Sequence, residues 1–589
     1  MAGDKITFFR RILALARRPA RQTLGKLCYA LGTLIFATPA YPLTLVGRTP
    51  TRLRVSPADP WPGDAARGRA VLKGEFTFAG RTLRAAAPEA PPPAVARREA
   101  FRTLWLAVGV SPAWRAELHG FSWLRDLRVA GGETARLRAR ELVACWIDGH
   151  DRWHRLAWRP DVLASRLCAW LGHYEFLCAD ADADFHARFF HSLSRQARHL
   201  ARVVPGGLAD ACLLLAIKGL VYSGVCLPGG ERRLNRALKL LEREVARQVL
   251  GDGGHIERSP SLQLSVLRDL VDIRAALLAG QREVPAALLS AIDRMAPMLR
   301  FFRHGDGGLA LLNDSNEEEA WLIDMVLTHA DAKGKPLASA PHSGFERFAN
   351  NRTLVIADVG APPPGAEDHT HAGTLSFEMS LGKERLIVNC GAGAGSNPAL
   401  RRRLRATAAH STVTVEDTDS TEIFEGGGLG GFLGRRPATV ACQREEADGA
   451  VWIDASHDGY LRPFGVVHRR RLYLSASGED LRGEDTLAAA TAGKPPRREF
   501  TGRKFAVRFH LHPQVKASLV RGGGTALLRL PSGDGWRLRA SGGELGLEDS
   551  VYLGARGEVQ RTDQIVISGE IGQTGAQVKW AVRRVADTS

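Results

Sequence analysis

The stretch His369-Thr370-His371-Ala372-Gly373-Thr374-Leu375-Ser376-Phe377-Glu378 decides how this chain is read. Its companion is Arg405-Ala406-Thr407-Ala408-Ala409-His410-Ser411-Thr412-Val413-Thr414-Val415, about forty residues on. Both read as strand sequence. On a strand, side chains two apart share a face, so His369 and His371 are expected side by side. A third histidine, His410, entering from a neighbouring strand would complete a metal site or an acid–base site. The plainer alternative is that these histidines only hydrogen-bond neighbouring strands.

Around these segments the sequence has strand grammar. Thr353-Leu354-Val355-Ile356-Ala357, Leu386-Ile387-Val388, Val451-Trp452-Ile453 and Arg471-Leu472-Tyr473-Leu474 are short β-type runs. Glycine-rich turns separate such runs, at 426–428, 430–431 and 522–524. This pattern predicts an antiparallel sandwich over 344–589. Upstream, over 98–343, the period changes. Leu234, Leu238, Leu241, Val245 and Val249 form a helical stripe. Ser259, Pro260 and Gly280 punctuate another helix as N-cap, first position and stop. Segments 160–178, 185–203 and 208–226 behave alike. Successive helices without intervening strands imply an all-α bundle, solenoid or toroid. Residues 41–97 read as a lead-in with a short hairpin arm at Phe76–Gly80 and a Pro/Ala-rich linker at Ala87–Pro93. Residues 1–40 have the order of a signal peptide, with basic residues, an apolar run Leu27–Ala37 and then small residues. The basic part is long, and the run is too short for a confident membrane span.

At 589 residues the chain should form two or three domains, and 44% hydrophobic with 24% charged residues is ordinary for globular protein. The net charge of +17 favours anionic partners: nucleic acid, a membrane surface or an acidic polysaccharide. No aromatic-basic motif supports nucleic acid. An arginine-rich genome decorating every surface is the plain alternative. The eight cysteines include no C-x-x-C pair and read as buried free thiols. Asn313-Asp314-Ser315-Asn316-Glu317-Glu318-Glu319 lacks the spacing of a calcium loop. It reads as a helix N-terminus capped by Ser315 or Asn316. The glycine runs lack the Lys-Ser/Thr of a phosphate loop.

A helical part followed by His369-Thr370-His371, Asn389-Cys390-Gly391 and Thr407-Ala408-Ala409-His410-Ser411-Thr412-Val413 resembles the heparinase II/III-like family. His468-Arg469-Arg470, Gly483-Glu484-Asp485 and Arg508-Phe509-His510-Leu511-His512-Pro513 fit too, as do Asp252-Gly253-Gly254-His255-Ile256-Glu257-Arg258-Ser259-Pro260 and His304-Gly305-Asp306-Gly307. The resemblance implies an α+β multidomain chain, an incomplete (α/α) toroid followed by an antiparallel β-sandwich. It also implies β-elimination on a uronate-containing polysaccharide.

That chemistry needs a base for the C5 proton, a group that neutralises the C6 carboxylate, and an acid for the departing C4 oxygen. By resemblance, His369 sits in the catalytic cleft. In metal-bearing members a divalent ion, zinc, is held at the positions of His371, Asn389 and His410. Asn389 stands where an aspartate is expected, so one ligand charge is lost. Leu262 stands where the family carries its catalytic tyrosine, and the carboxylate-neutralising asparagine is absent near Gly206-Gly207-Leu208. His255 is then a candidate base and Tyr460 a candidate acid, with Arg258 and Arg405 as substrate-binding residues. The plain alternatives are that His255 packs before a helix start and that Tyr460 is a core tyrosine with a satisfied hydroxyl. The leading function is a polysaccharide lyase of the cell envelope or periplasm needing no cofactor or one divalent metal. The alternative is a glycan-binding or exopolysaccharide-accessory protein that keeps the fold.

Overall fold

The computed structural model describes residues 20–85, 101–363, 369–393, 398–424, 432–489, 501–520, 522–554 and 559–585. The expected linker at 87–93, the glycine runs at 426–431 and the basic residues before 20 lie outside these. The chain forms two compact units. One comprises Pro19–Gln248 and Val266–Ile292, the other Val249–Ser265 and the described residues from Asp293 onward. The expected boundary at 343/344 therefore falls inside the second unit.

The first unit is helical. Helix Ala183–Val203 is started by Asp182, whose side chain accepts the Phe185 N–H at 2.7 Å. Helix Asp210–Cys226 is buried along most of its length and packs against Pro160–Gly172 and Glu231–Gln248. Leu234, Leu241 and Val245 of the predicted stripe are buried, which is why that helix forms one wall of the core. The lead-in belongs to this unit. It contains the hairpin Glu75–Phe78 with Arg81–Arg84, and the Trp61 indole donates to Asp272 at 2.8 Å. The Lys218 ammonium is buried between Asp269 (2.9 Å) and Asp272 (2.5 Å), so its charge is compensated. All of the run Leu27–Ala37 except Ala37 lies in helix Ala20–Phe36, with Leu24, Leu27, Leu31, Leu34 and Ile35 exposed. Among the described residues no helix is long and apolar enough to cross a membrane.

Among the described residues the second unit holds two large antiparallel sheets and a two-stranded one, Ile423–Phe424 with Phe432–Leu433. In the first the strand order is Glu544–Tyr552, Gln560–Glu570, Lys504–Leu511, Glu384–Val388, Phe377–Leu381, Thr353–Asp358, Phe345–Asn350 and Ser339–Ala340, with Val413–Val415 also paired to Lys504–Leu511. In the second it is Val440–Ala447, Ala450–His457, Val466–Leu474, Asp480–Ala489, Ala576–Arg584, Gly535–Ser541, Thr525–Arg529 and Lys516–Leu519. Alternating side chains from both sheets make one core. Phe377 stacks on Trp580 with centroids 5.6 Å apart, and Val507, Leu472 and Ile453 are buried around them. All eight cysteines are free. Four are buried, but Cys28 and Cys212 are exposed, contrary to expectation.

Candidate active site

His369 and His371 do not lie on a strand. The segment 369–376 is a loop, and the strand begins at Phe377. His410 precedes its strand, following a short 3-10 turn at Thr407–Ala409. The i, i+2 histidines still converge, because the loop backbone is fixed on both sides. The Arg405 guanidinium donates to the Thr370 carbonyl at 2.9 Å, and the Ala372 N–H donates to the Arg405 carbonyl at 2.9 Å. Thr407 Oγ1 donates to the Ala372 carbonyl at 2.8 Å, and Asn313 Oδ1 accepts the His371 N–H at 3.3 Å. Gly373 is required here for close approach: a Cβ would lie 2.7 Å from the His410 ring.

The point of convergence is Asp314. Asn313 and Asp314 both have left-handed backbone, with φ of 48° and 53°, a conformation that Asn and Asp tolerate better than other side chains. This turn directs the Asp314 carboxylate at the two imidazoles. Its Oδ2 is 2.9 Å from His369 Nδ1, and its Oδ1 is 3.7 Å from His371 Nε2. Burial alone would raise the Asp314 pKa, but the hydrogen bond from His369 and the two imidazoles close beside it hold the carboxyl well below the usual carboxylate range. An ionised carboxylate only accepts, so His369 donates through Nδ1–H and its Nε2 carries the lone pair. Nε2 lies 3.9 Å from Glu257 Oε2, and Arg401 Nη2 lies 3.6 Å from Asp314 Oδ2. The His369 side chain is 32% exposed, against 6% for Asp314. It is an accessible imidazole on a buried anionic anchor.

His371 and His410 face each other, with Nδ1 of the first 3.1 Å from Nε2 of the second. His410 Nδ1 is 2.8 Å from the Ala406 carbonyl and must donate to it, so His410 Nε2 accepts from His371 Nδ1–H. Burial keeps both rings below the ordinary histidine pKa, His410 strongly so. His371 Nε2 and Asp314 Oδ1 are thus left buried without a hydrogen-bond partner. The implied zinc set does not fit these residues. Asn389 Oδ1 accepts the Ser411 N–H at 2.9 Å and its Nδ2 donates to Glu378 at 3.2 Å, while the facing nitrogens of His371 and His410 are spent on each other. Among the described residues no group of three His, Cys, Asp or Glu is arranged to hold a metal ion.

The other expected residues fall elsewhere. His255 is buried, and its Nδ1 accepts the Glu257 N–H at 3.3 Å, so it shapes the turn before helix Pro260–Ala279 and is closed to a substrate proton. Tyr460 is fully buried in the sandwich core and donates to the Val413 carbonyl at 2.7 Å. Burial raises its pKa strongly, which removes it as an acid. Arg258 is a structural pin. It pairs with Asp358, donates to the carbonyls of Ser343, Gly344, Gly360 and Ala361, and lies over the Phe345 ring. Arg405 is buried and braces the histidine loop, so it positions the loop and does not meet substrate. Asp314, Glu257 and Arg401 were not singled out from sequence as site residues. The available signal for Asp314 was the Asn-Asp pair itself, which suits consecutive left-handed residues.

Fold and site together define a member of the heparinase II/III-like family. The heparinase II/III N-terminus model matches residues 136–331 and the heparinase II/III-like C-terminal model matches 332–581; the chain belongs to this family. Its architecture is the toroid plus β-sandwich of that family. Among solved structures, a heparinase III superposes with TM-score 0.69 at 14% identity, covering 95% of this chain and 91% of that one. The heparan sulfate lyase HepC of Pedobacter heparinus, in a mutant form, superposes with TM-score 0.60 at 15% identity, covering 94% and 88%. In sequence, the chain is 34% identical over 548 residues to FtsZ-localized protein C of Caulobacter vibrioides, covering 91% of each.

Proposed function

We propose that this chain is a polysaccharide lyase cleaving an acidic, uronate-containing glycan by β-elimination, with His369 as the proton-transferring group. The observation that carries the reading is the accessible His369 imidazole, whose Nδ1–H is committed to the buried, ionised Asp314. This leaves Nε2 as a base in a fixed tautomer. In the proposed step, Nε2 takes the C5 proton, and the C–H electron pair becomes an enolate delocalised into the C6 carboxylate. The C4–O bond then breaks, its electrons leave with the oxygen, and a C4=C5 double bond forms. The His369 imidazolium returns the proton to that oxygen. One group can serve both steps when proton and leaving group lie on the same face. Arg401, on helix Pro398–Arg405, is a cation that faces this centre, and it would meet the sugar carboxylate. The net charge of +17 favours a polyanionic chain as partner. The cell envelope or periplasm, where such glycans occur, is the proposed location.

A second reading has its own support. Leu262 replaces the expected tyrosine, and Tyr460 is sealed in the core. The Caulobacter relative is named for localisation with FtsZ and not for an activity. An accessory protein that binds acidic glycan without cleaving it is consistent with both. The two readings separate by ultraviolet absorbance, because the conjugated uronyl product absorbs and the substrate does not. Heparan sulfate, chondroitin sulfate, hyaluronan and alginate form the panel. We expect absorbance to rise with at least one polymer and to stay flat with His369→Ala. No rise with any polymer, beside measurable binding, would leave the accessory role.

A further inference from the structure

The helical unit contains a half-enclosed cavity of about 890 Å³, none of whose residues belongs to the His369 centre. Arg48, Arg52, Arg198 and Arg233 line it, and among the described residues no aspartate or glutamate does. Arg198 is held by neutral groups, donating to the carbonyls of Leu45 (2.8 Å) and Arg48 (2.6 Å). A Cβ on Gly47 would lie 3.0 Å from Arg198 Nη2, so the missing side chain lets the guanidinium seat against this backbone. Arg233 donates to the Ser223 carbonyl at 3.0 Å, and its Nε is buried with no partner. The Ser194 hydroxyl, which also lines the cavity, is buried and unpartnered as well. Arg48 and Arg52 are exposed, and their guanidinium groups have no partner among the described residues. Glu231, in the first turn of the helix carrying Arg233, is taken up by Arg54 and Arg282.

A buried guanidinium without a counter-charge is costly, and two close together repel. Burial first, and then the charge of Arg198, pushes Arg233 down to about 10. Two unmatched buried donors and four cations in one concavity are the complement of a multiply charged oxyanion, since the guanidinium fork fits paired oxygens.

We infer that this cavity is an oxyanion-binding site for a ligand carrying closely spaced phosphate or sulfate groups. The inference stands apart from the lyase reading, because it concerns binding in the other unit. The same chemistry could come from a small phosphate compound or from a sulfated sugar chain, so both are titrated by calorimetry into the full chain: inorganic pyrophosphate and a heparin-derived tetrasaccharide. At least one should bind one-to-one at this site. Arg48→Glu/Arg52→Glu and Arg233→Gln should each weaken it by about tenfold or more, since charge-assisted bonds contribute about that much. His369→Ala should leave pyrophosphate binding unchanged. Pyrophosphate alone binding identifies a small phosphate compound, and the tetrasaccharide alone identifies a sulfated glycan. The inference is overturned if neither probe binds, or if both arginine variants bind as the native chain does. Arg48 and Arg52 are exposed, so their replacement does not endanger the fold and that outcome stays readable.

Discussion

At Asp314, two left-handed backbone residues in succession aim one carboxylate at two imidazoles. The charge of that carboxylate raises the proton affinity of His369, and its position fixes the tautomer. Asp314→Asn keeps the shape and removes the charge. The His369 pKa should then fall, because one close anion is lost. Because the base works deprotonated, the acid limb of the lyase pH profile should move to lower pH. Turnover should drop on the order of 10²-fold or more, as tautomer control is lost. An NMR titration of the His369 ring follows the first effect without any substrate, and an unchanged titration would contradict the role assigned to Asp314.

Between elements, Ser315 shows where local sequence reading stops. Acids followed by an apolar run suggested that it capped the helix Ala320–Ala330, yet the N-cap of that helix is Glu319. Ser315 Oγ instead accepts the Ser261 N–H at 3.2 Å and lies 2.9 Å from Ser259 Oγ, so it closes the start of helix Pro260–Ala279 from 54 residues away. Ser315→Ala should cost about 1 kcal/mol, in the range of a lost helix cap, in urea denaturation. A cost near zero would mean that water replaces the hydroxyl. Helices and strands were readable because their periods are local: the stripe of Glu231–Gln248 and the start and stop of Pro260–Ala279 both fell where expected. The histidine segments stood out by residue type, but their loop backbone did not, since it is set by Arg405, Thr407 and Asn313 from other parts of the chain. His255 and Tyr460 have the right chemistry and the wrong burial, and burial of a polar side chain is a property of the packed molecule that no short pattern carries.

Across the whole molecule, buried neutral histidines set the response to acid. Burial lowers His119 to about 2, His150 and His199 to about 3 and His173 to about 4 in the helical unit, and His510 to about 4 in the sheet unit. Each folded pKa is below the unfolded value near 6.5, so the unfolded chain takes protons first as pH falls. The stability these groups hold is complete above 6.5 and is lost from there down to each folded value, about 4 for His173 and His510, about 3 for His150 and His199 and about 2 for His119, at about 1.4 kcal/mol per pH unit for each group in its window. The urea midpoint should therefore fall steeply from pH 7 to pH 5, and a flat midpoint over that range would count against neutral burial. The interleaving of the two units has a further consequence, for anyone who moves pieces of this protein between relatives. The C-terminal family segment starts at 332 and the strand grammar at about 344, yet Glu257, Asn313 and Asp314 precede both. A fragment or chimera cut at either point would carry the histidines and leave their acid behind, so the smallest portable version of this centre has to include residues 249–265 and 293 onward.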